Sequence, residues 1–184
     1  MLGWELSAKL IGWARLDILL MKIGIFDSGI GGLITLQGIV RQCPAYDFLY
    51  LGDTARVPYG NRSQETIFQF TQSSVRFLFK HGCALVILAC NTASTEALRR
   101  IQREFLPIEA PNRRVLGVII PTAEAALAQP QARIGIIGTL ATVRSNVYER
   151  EITKLAPEAR VFQVAAPLIV PIIENNGLKY LEPI

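Results

Sequence analysis

Ala84-Leu85-Val86-Ile87-Leu88-Ala89-Cys90-Asn91-Thr92-Ala93-Ser94 decides the fold of this 184-residue chain. Six apolar residues run without a charge, then come a thiol and small polar residues, then Thr95-Glu96-Ala97-Leu98-Arg99-Arg100-Ile101 in helical spacing. A short apolar run between Gly82 and cap-type residues is a strand buried on both faces, which belongs in a parallel sheet. Cys90 then stands at the strand's C-terminal end and just before a helix. Open parallel sheets bind their ligands along that edge. Free N–H groups and the positive end of the helix dipole favour a thiolate there, and could equally hold a carboxylate. The plain alternative is a cysteine used as a small buried hydrophobe.

The same grammar repeats on either side. Lys22 to Phe26 reads as a buried strand, followed by Asp27-Ser28-Gly29-Ile30-Gly31-Gly32 and a helix from about Leu33 to Cys43. A carboxylate and a hydroxyl thus stand over a Gly-rich turn that lets backbone approach a ligand. A dinucleotide fingerprint fails because Ile34 holds the third glycine position, and a P-loop fails for want of Gly-Lys-Ser/Thr. Asp27 would itself repel a phosphate, so the site suits proton handling better. Asp47 to Leu51 is the next strand. Its loop, Gly52 to Arg62, is rich in donors and long for a strand-to-helix connection, and long loops at this edge often carry function. Ser63 caps the following helix, which stops at Gly82; His81 sits at that end as a dipole partner.

After Cys90 the spacing predicts a helix to about Phe105, a Pro-containing link over Leu106–Arg114, and a strand from Val115 to Ile120. A helix over Thr122–Gln129, a strand over Ala132–Ile137, a helix over Ser145–Leu155 and a strand over Arg160–Ala165 follow. Pro167 to Glu174 is an apolar segment ending in one acid. Ile23-Gly24-Ile25-Phe26-Asp27-Ser28 is echoed by Ile134-Gly135-Ile136-Ile137-Gly138-Thr139, at an offset of 111 residues from 23 to 134. The expectation is an α/β protein of two pseudo-symmetric lobes, with mainly parallel sheets flanked by helices and an incomplete second lobe. Residues 1–20 form an N-terminal extension, 21–113 the first lobe and 114–184 the truncated second.

Composition removes several function classes. Hydrophobic residues make up 51% and mean hydropathy is +0.32, which suits a packed core. Net charge is +4 with scattered arginines, so no nucleic-acid partner is expected. Three cysteines at irregular spacing argue against a disulfide framework and for a reducing compartment; one histidine and no Cys-x-x-Cys argue against zinc. No run approaches the ~18 apolar residues of a spanning helix, so no membrane partner is expected.

Three segments resemble the glutamate racemases of the cofactor-independent aspartate/glutamate racemase superfamily. They are Ile25 to Gly32, Tyr50 to Gly60 and Ala89 to Ser94, in the family's order and at about its spacing. Gly135 to Thr139, Ala141 to Ser145 and Pro167 to Pro171 are similar to its second lobe. The resemblance implies interconversion of L- and D-glutamate in the bacterial cytoplasm, for peptidoglycan, with two cysteines working on opposite faces of Cα and no cofactor. It implies Cys90 as the base that deprotonates D-glutamate, with Asp27 assisting its proton traffic. Asp27, Ser28, Tyr59, Gly60, Asn91 and Thr92 then hold substrate, and Glu174 supports the second base. It leaves a homodimer open. The family's second cysteine, in a Gly-Cys-Thr-His segment, has no counterpart here, and Cys43 and Cys83 lie in the wrong places to replace it. An aspartate or other diacid isomerase of the superfamily, and a non-catalytic binding remnant, are the alternatives.

Overall fold

In a computed structural model the described residues are 21–128 and 133–175, so the expected N-terminal extension lies outside them. Strands β1 (Lys22–Asp27), β2 (Asp47–Gly52), β3 (Cys83–Leu88) and β4 (Arg114–Gly117) form one sheet in the order β2-β1-β3-β4, all parallel. Helices α1 (Gly32–Gln42) and α2 (Gln64–Lys80) are the crossovers between the first three strands. Alternation along the strands divides the core between the two faces. Ile23 and Ile25 of β1 pack with Leu36 and Ile39 of α1, while Phe26, Val86 and Leu88 pack with Ile67, Val75 and Leu78 of α2. Both faces of β1 and β3 are therefore covered, as a parallel sheet requires. Gly24 permits this closeness: a Cβ there would stand 3.1 Å from Leu78 Cδ1.

The cysteine strand leads into α3 (Asn91–Glu96), α4 (Leu98–Arg100), a π-helical turn (Ile101–Phe105) and α5 (Leu106–Glu109). The helical path continues past Phe105 through the π-helical turn, with Pro107 near the start of α5. The first sheet does not stop at residue 113. β4 pairs with β3 from Leu85↔Arg114 to Leu88↔Gly117, so residues just past 113 join the first sheet. The predicted strand to Ile120 is correspondingly short, and helix α6 (Ile119–Leu127) begins early.

The second lobe holds the parallel pair β5 (Arg133–Gly138) and β6 (Arg160–Ala165), with α7 (Leu140–Ser145), α8 (Val147–Leu155) and α9 (Ile169–Glu174). The strand β5 spans the same six positions as β1 at the 111-residue offset and shares its Ile-Gly-Ile. On one face of the pair Ile134 and Ile136 are half-buried and line a cavity that first-lobe residues also line. The other carries Ile137 (71% exposed), Phe162 and Val164 into solvent. Among the described residues no helix is long and apolar enough to cross a membrane.

Candidate active site

The C-terminal ends of β1, β2 and β3 face α7, α8 and α9 of the second lobe across a cavity of about 560 Å³. Asp27, Ser28, Tyr59, Gly60, Cys90, Asn91, Thr92 and Glu174 all line it. Parallel strands with near-matched register bring this about: Phe26 of β1 is level with Leu88 of β3, so Asp27 and Cys90 emerge side by side. The N–H groups of Ala89 and Cys90 bond the Phe26 carbonyl at 2.8 and 3.3 Å and fix that adjacency.

Cys90 caps α3. Its Sγ accepts the Ala93 N–H at 3.4 Å and donates to Ser28 Oγ at 3.3 Å. The side chain is only 5% exposed. The helix-end donors expected to favour a thiolate are present, and bonds from Ser28 and Ala93 do pull its pKa down. Burial, followed by the Asp27 charge, outweighs them and leaves the thiol above its ordinary value. α3 has six residues, too short to carry much dipole. The resting group is a thiol hydrogen-bonded to a serine.

Asp27 is buried and accepts the Gly29 N–H through Oδ2 at 3.1 Å, which curls the Gly-rich turn around its carboxylate. Tyr50 donates to the Gly29 carbonyl at 3.1 Å and holds that turn from below. Gly32 is required here, since a Cβ would stand 2.7 Å from Asp27 Cβ. Tyr59 is 1% exposed, and its hydroxyl is committed to Asp53 Oδ2 at 2.5 Å. Asp53 also holds Arg56 at 2.6 Å. Tyr59 therefore offers the cavity its ring and backbone while its phenol serves the loop.

Gly60, Asn91 and Thr92 meet the second lobe directly. The Gly60 carbonyl accepts the Ala141 N–H at 3.1 Å, and Thr92 Oγ1 lies 2.9 Å from Thr139 Oγ1, itself 3.0 Å from Thr142 Oγ1. Asn91 Oδ1 accepts the Tyr148 phenol at 2.5 Å. Glu174 reaches back across the cavity to Gly29, where a Cβ would stand 1.8 Å from its Oε1; burial first, then Asp27, raises its pKa. Sequence reasoning missed Thr139, Thr142 and Tyr148 as lining residues. Thr139 had a signal, as the echo of Ser28 at the end of β5; Tyr148 had none. Cys83 is buried at the start of β3 and Cys43 ends α1, and neither lines the cavity. Among the described residues no three His, Cys, Asp or Glu side chains are grouped to hold a metal.

Residues 23–179 match the profile of the family described as Asp/Glu/Hydantoin racemase. The chain belongs to that family. It is 46% identical over 157 residues to a glutamate racemase of Synechocystis, covering 85% of this chain and 54% of that protein. It is 46% identical over 160 residues to one of Aquifex aeolicus, covering 86% and 60%. The racemase fold is shared in three dimensions too. A glutamate racemase isoform from Bacillus anthracis superposes with TM-score 0.79 at 35% identity, over 88% of this chain and 59% of that one. The Francisella tularensis enzyme, solved with D-glutamate, gives 0.74 at 36% identity, over 85% and 57%. The chain thus spans little more than half the length of these relatives.

Proposed function

We propose that this chain carries the Cys90 half of a glutamate racemase site, and that the whole protein supplies D-glutamate for peptidoglycan in a bacterial cytoplasm. The single observation behind the reading is the position of Cys90 Sγ: in the cavity, bonded to Ser28, beside Asp27, with Asn91 and Thr92 on the same helix start. A Cα–H beside a carboxylate is a very weak acid, so its removal needs a base within reach and donors for the enolate-like charge that develops. Ser28, Thr92, Thr139 and Thr142, each with a hydroxyl, line the space where that charge would form. The Asp27 charge helps keep the free thiol protonated. A substrate ammonium placed against Asp27 offsets that charge, so substrate arrival and thiolate formation are coupled. The Cys90 proton leaves to solvent as the thiolate forms; the thiolate then takes the Cα proton and the C–H electron pair moves into the carboxylate. Inversion needs a donor on the far face, and by resemblance that is the cysteine of a Gly-Cys-Thr-His segment.

The test is solvent exchange. In deuterated water the chain should exchange the Cα proton of D-glutamate faster than that of L-glutamate, and Cys90→Ser should remove the difference. Equal exchange of both enantiomers, unaffected by the substitution, defeats the assignment. Running D-aspartate alongside decides between the two diacids.

A further inference from the structure

Tyr148 lies on α8 of the second lobe, 57 positions along the chain from Asn91, yet its phenol donates to Asn91 Oδ1 at 2.5 Å. It is 7% exposed and lines the cavity, together with Thr122 of α6 and Ile152 one turn along α8. Burial pushes the phenol's pKa up, so it stays protonated through the neutral range. Asn91 is the first residue of α3, directly after Cys90, and it is exposed into the cavity.

An asparagine side chain has one acceptor end and one donor end, of nearly equal shape. Left alone beside a small anion it samples both orientations, and one of them presents a carbonyl oxygen to a carboxylate. The phenol removes that freedom: with Oδ1 engaged, the NH2 group is the end left to face the cavity. A phenylalanine would fill the same apolar space between α6 and α8, so packing alone does not call for the hydroxyl.

We propose that Tyr148 is a positioning residue, which locks the Asn91 amide so that its NH2 group reads an anionic oxygen of the bound amino acid. The lock joins the two lobes, so the second lobe has to be seated before the first presents its full set of donors. This rests on the glutamate reading for the identity of the ligand, and on geometry alone for the contact.

The test is a cycle of Tyr148→Phe, Asn91→Ala and the double variant, with D-glutamate affinity measured by calorimetry. One lost hydrogen bond of ordinary strength corresponds to about a fivefold loss. Each single variant should show roughly that loss, and the double variant no more than Asn91→Ala alone. An unchanged affinity in Tyr148→Phe, or losses that multiply in the double variant, overturns the proposal. A ligand-free arm separates the two readings. With 15N-asparagine labelling, the Asn91 side-chain NH2 pair, identified by its disappearance in Asn91→Ala, should move in Tyr148→Phe. Should Tyr148→Phe not fold, Asn91→Ala reads the same contact from the other side through the 13Cζ shift of Tyr148. Signals that stay put overturn the proposal whatever the ligand. Signals that move in a chain that binds no D-glutamate overturn the glutamate reading instead and leave the contact standing.

Discussion

A cysteine kept protonated by its surroundings has a measurable signature. Burial and the Asp27 charge both push the Cys90 thiol up, so its thiolate forms only above the ordinary thiol range. Alkylation of Cys90 by iodoacetamide should be slow at pH 7 and should climb with pH later than for a free thiol. Asp27→Asn removes one of the two causes and should shift the rate profile to lower pH, as mass spectrometry of the Cys90 peptide would show. A profile unmoved by Asp27→Asn would mean burial acts alone. Most of the cavity-lining residues were legible because they follow a strand whose apolar run announces them: Asp27 after β1, Cys90 after β3, the Tyr59 loop after β2. The protonation state of Cys90 was not legible. Local sequence shows the helix start that favours a thiolate, whereas the enclosure that opposes it is assembled from β1, α3 and the second lobe. The Tyr59 hydroxyl misleads in the same way, because its partner Asp53 lies within the same loop and turns it inward.

Elements that change direction at polar residues were the harder ones to read. Helix α7 begins at Thr139, whose side chain accepts the Thr142 N–H, yet Thr142 and Val143 are β-branched and weaken the helical signal. Asn146, in the left-handed region at φ 53°, then separates α7 from α8, so the sequence shows only the longer amphipathic helix. The split of the helical path after Cys90 was hidden likewise, since apolar spacing continues through the π-helical turn. The seat between α7 and the Tyr59 loop is tight at Gly60, where a Cβ would stand 2.6 Å from Thr139 Cβ. That atom belongs to a short branched side chain and cannot swing away. Gly60→Ala should therefore cost about 1–3 kcal/mol, the usual range for forced overpacking. Thermal unfolding should show a lower Tm, and D-glutamate should bind more weakly. By contrast, a wild-type Tm in Gly60→Ala would show that α7 can shift at no cost.

On the scale of the molecule the two lobes are unequally finished. In the first, β1 and β3 are covered on both faces. In the second, β5 and β6 show alternating exposure, and Ile137, Phe162 and Val164 make one outward row on a two-stranded parallel pair. Parallel pairs of this kind are rarely left open, and exposed apolar rows promote association. Light scattering of the chain should rise with concentration, and 8-anilinonaphthalene sulfonate should bind and fluoresce. Phe162→Lys together with Val164→Lys should reduce both while leaving the first-lobe circular dichroism unchanged; dye binding untouched by the pair would place the sticky surface elsewhere. The class and lobe plan followed from the strand echo, since β5 stands where β1 predicts it. The extent of the first sheet did not, because β4 is four residues long and its pairing with β3 is a long-range event.

Polar contacts across the seam between the lobes include threonine hydroxyls, one backbone hydrogen bond from Ala141 N–H to the Gly60 carbonyl, and a phenol on an amide. Water can stand in for each of those partners in turn. Such a joint parts stepwise, like a clasp undone one hook at a time, and a small solute can slip through while the oily layers on either side stay shut.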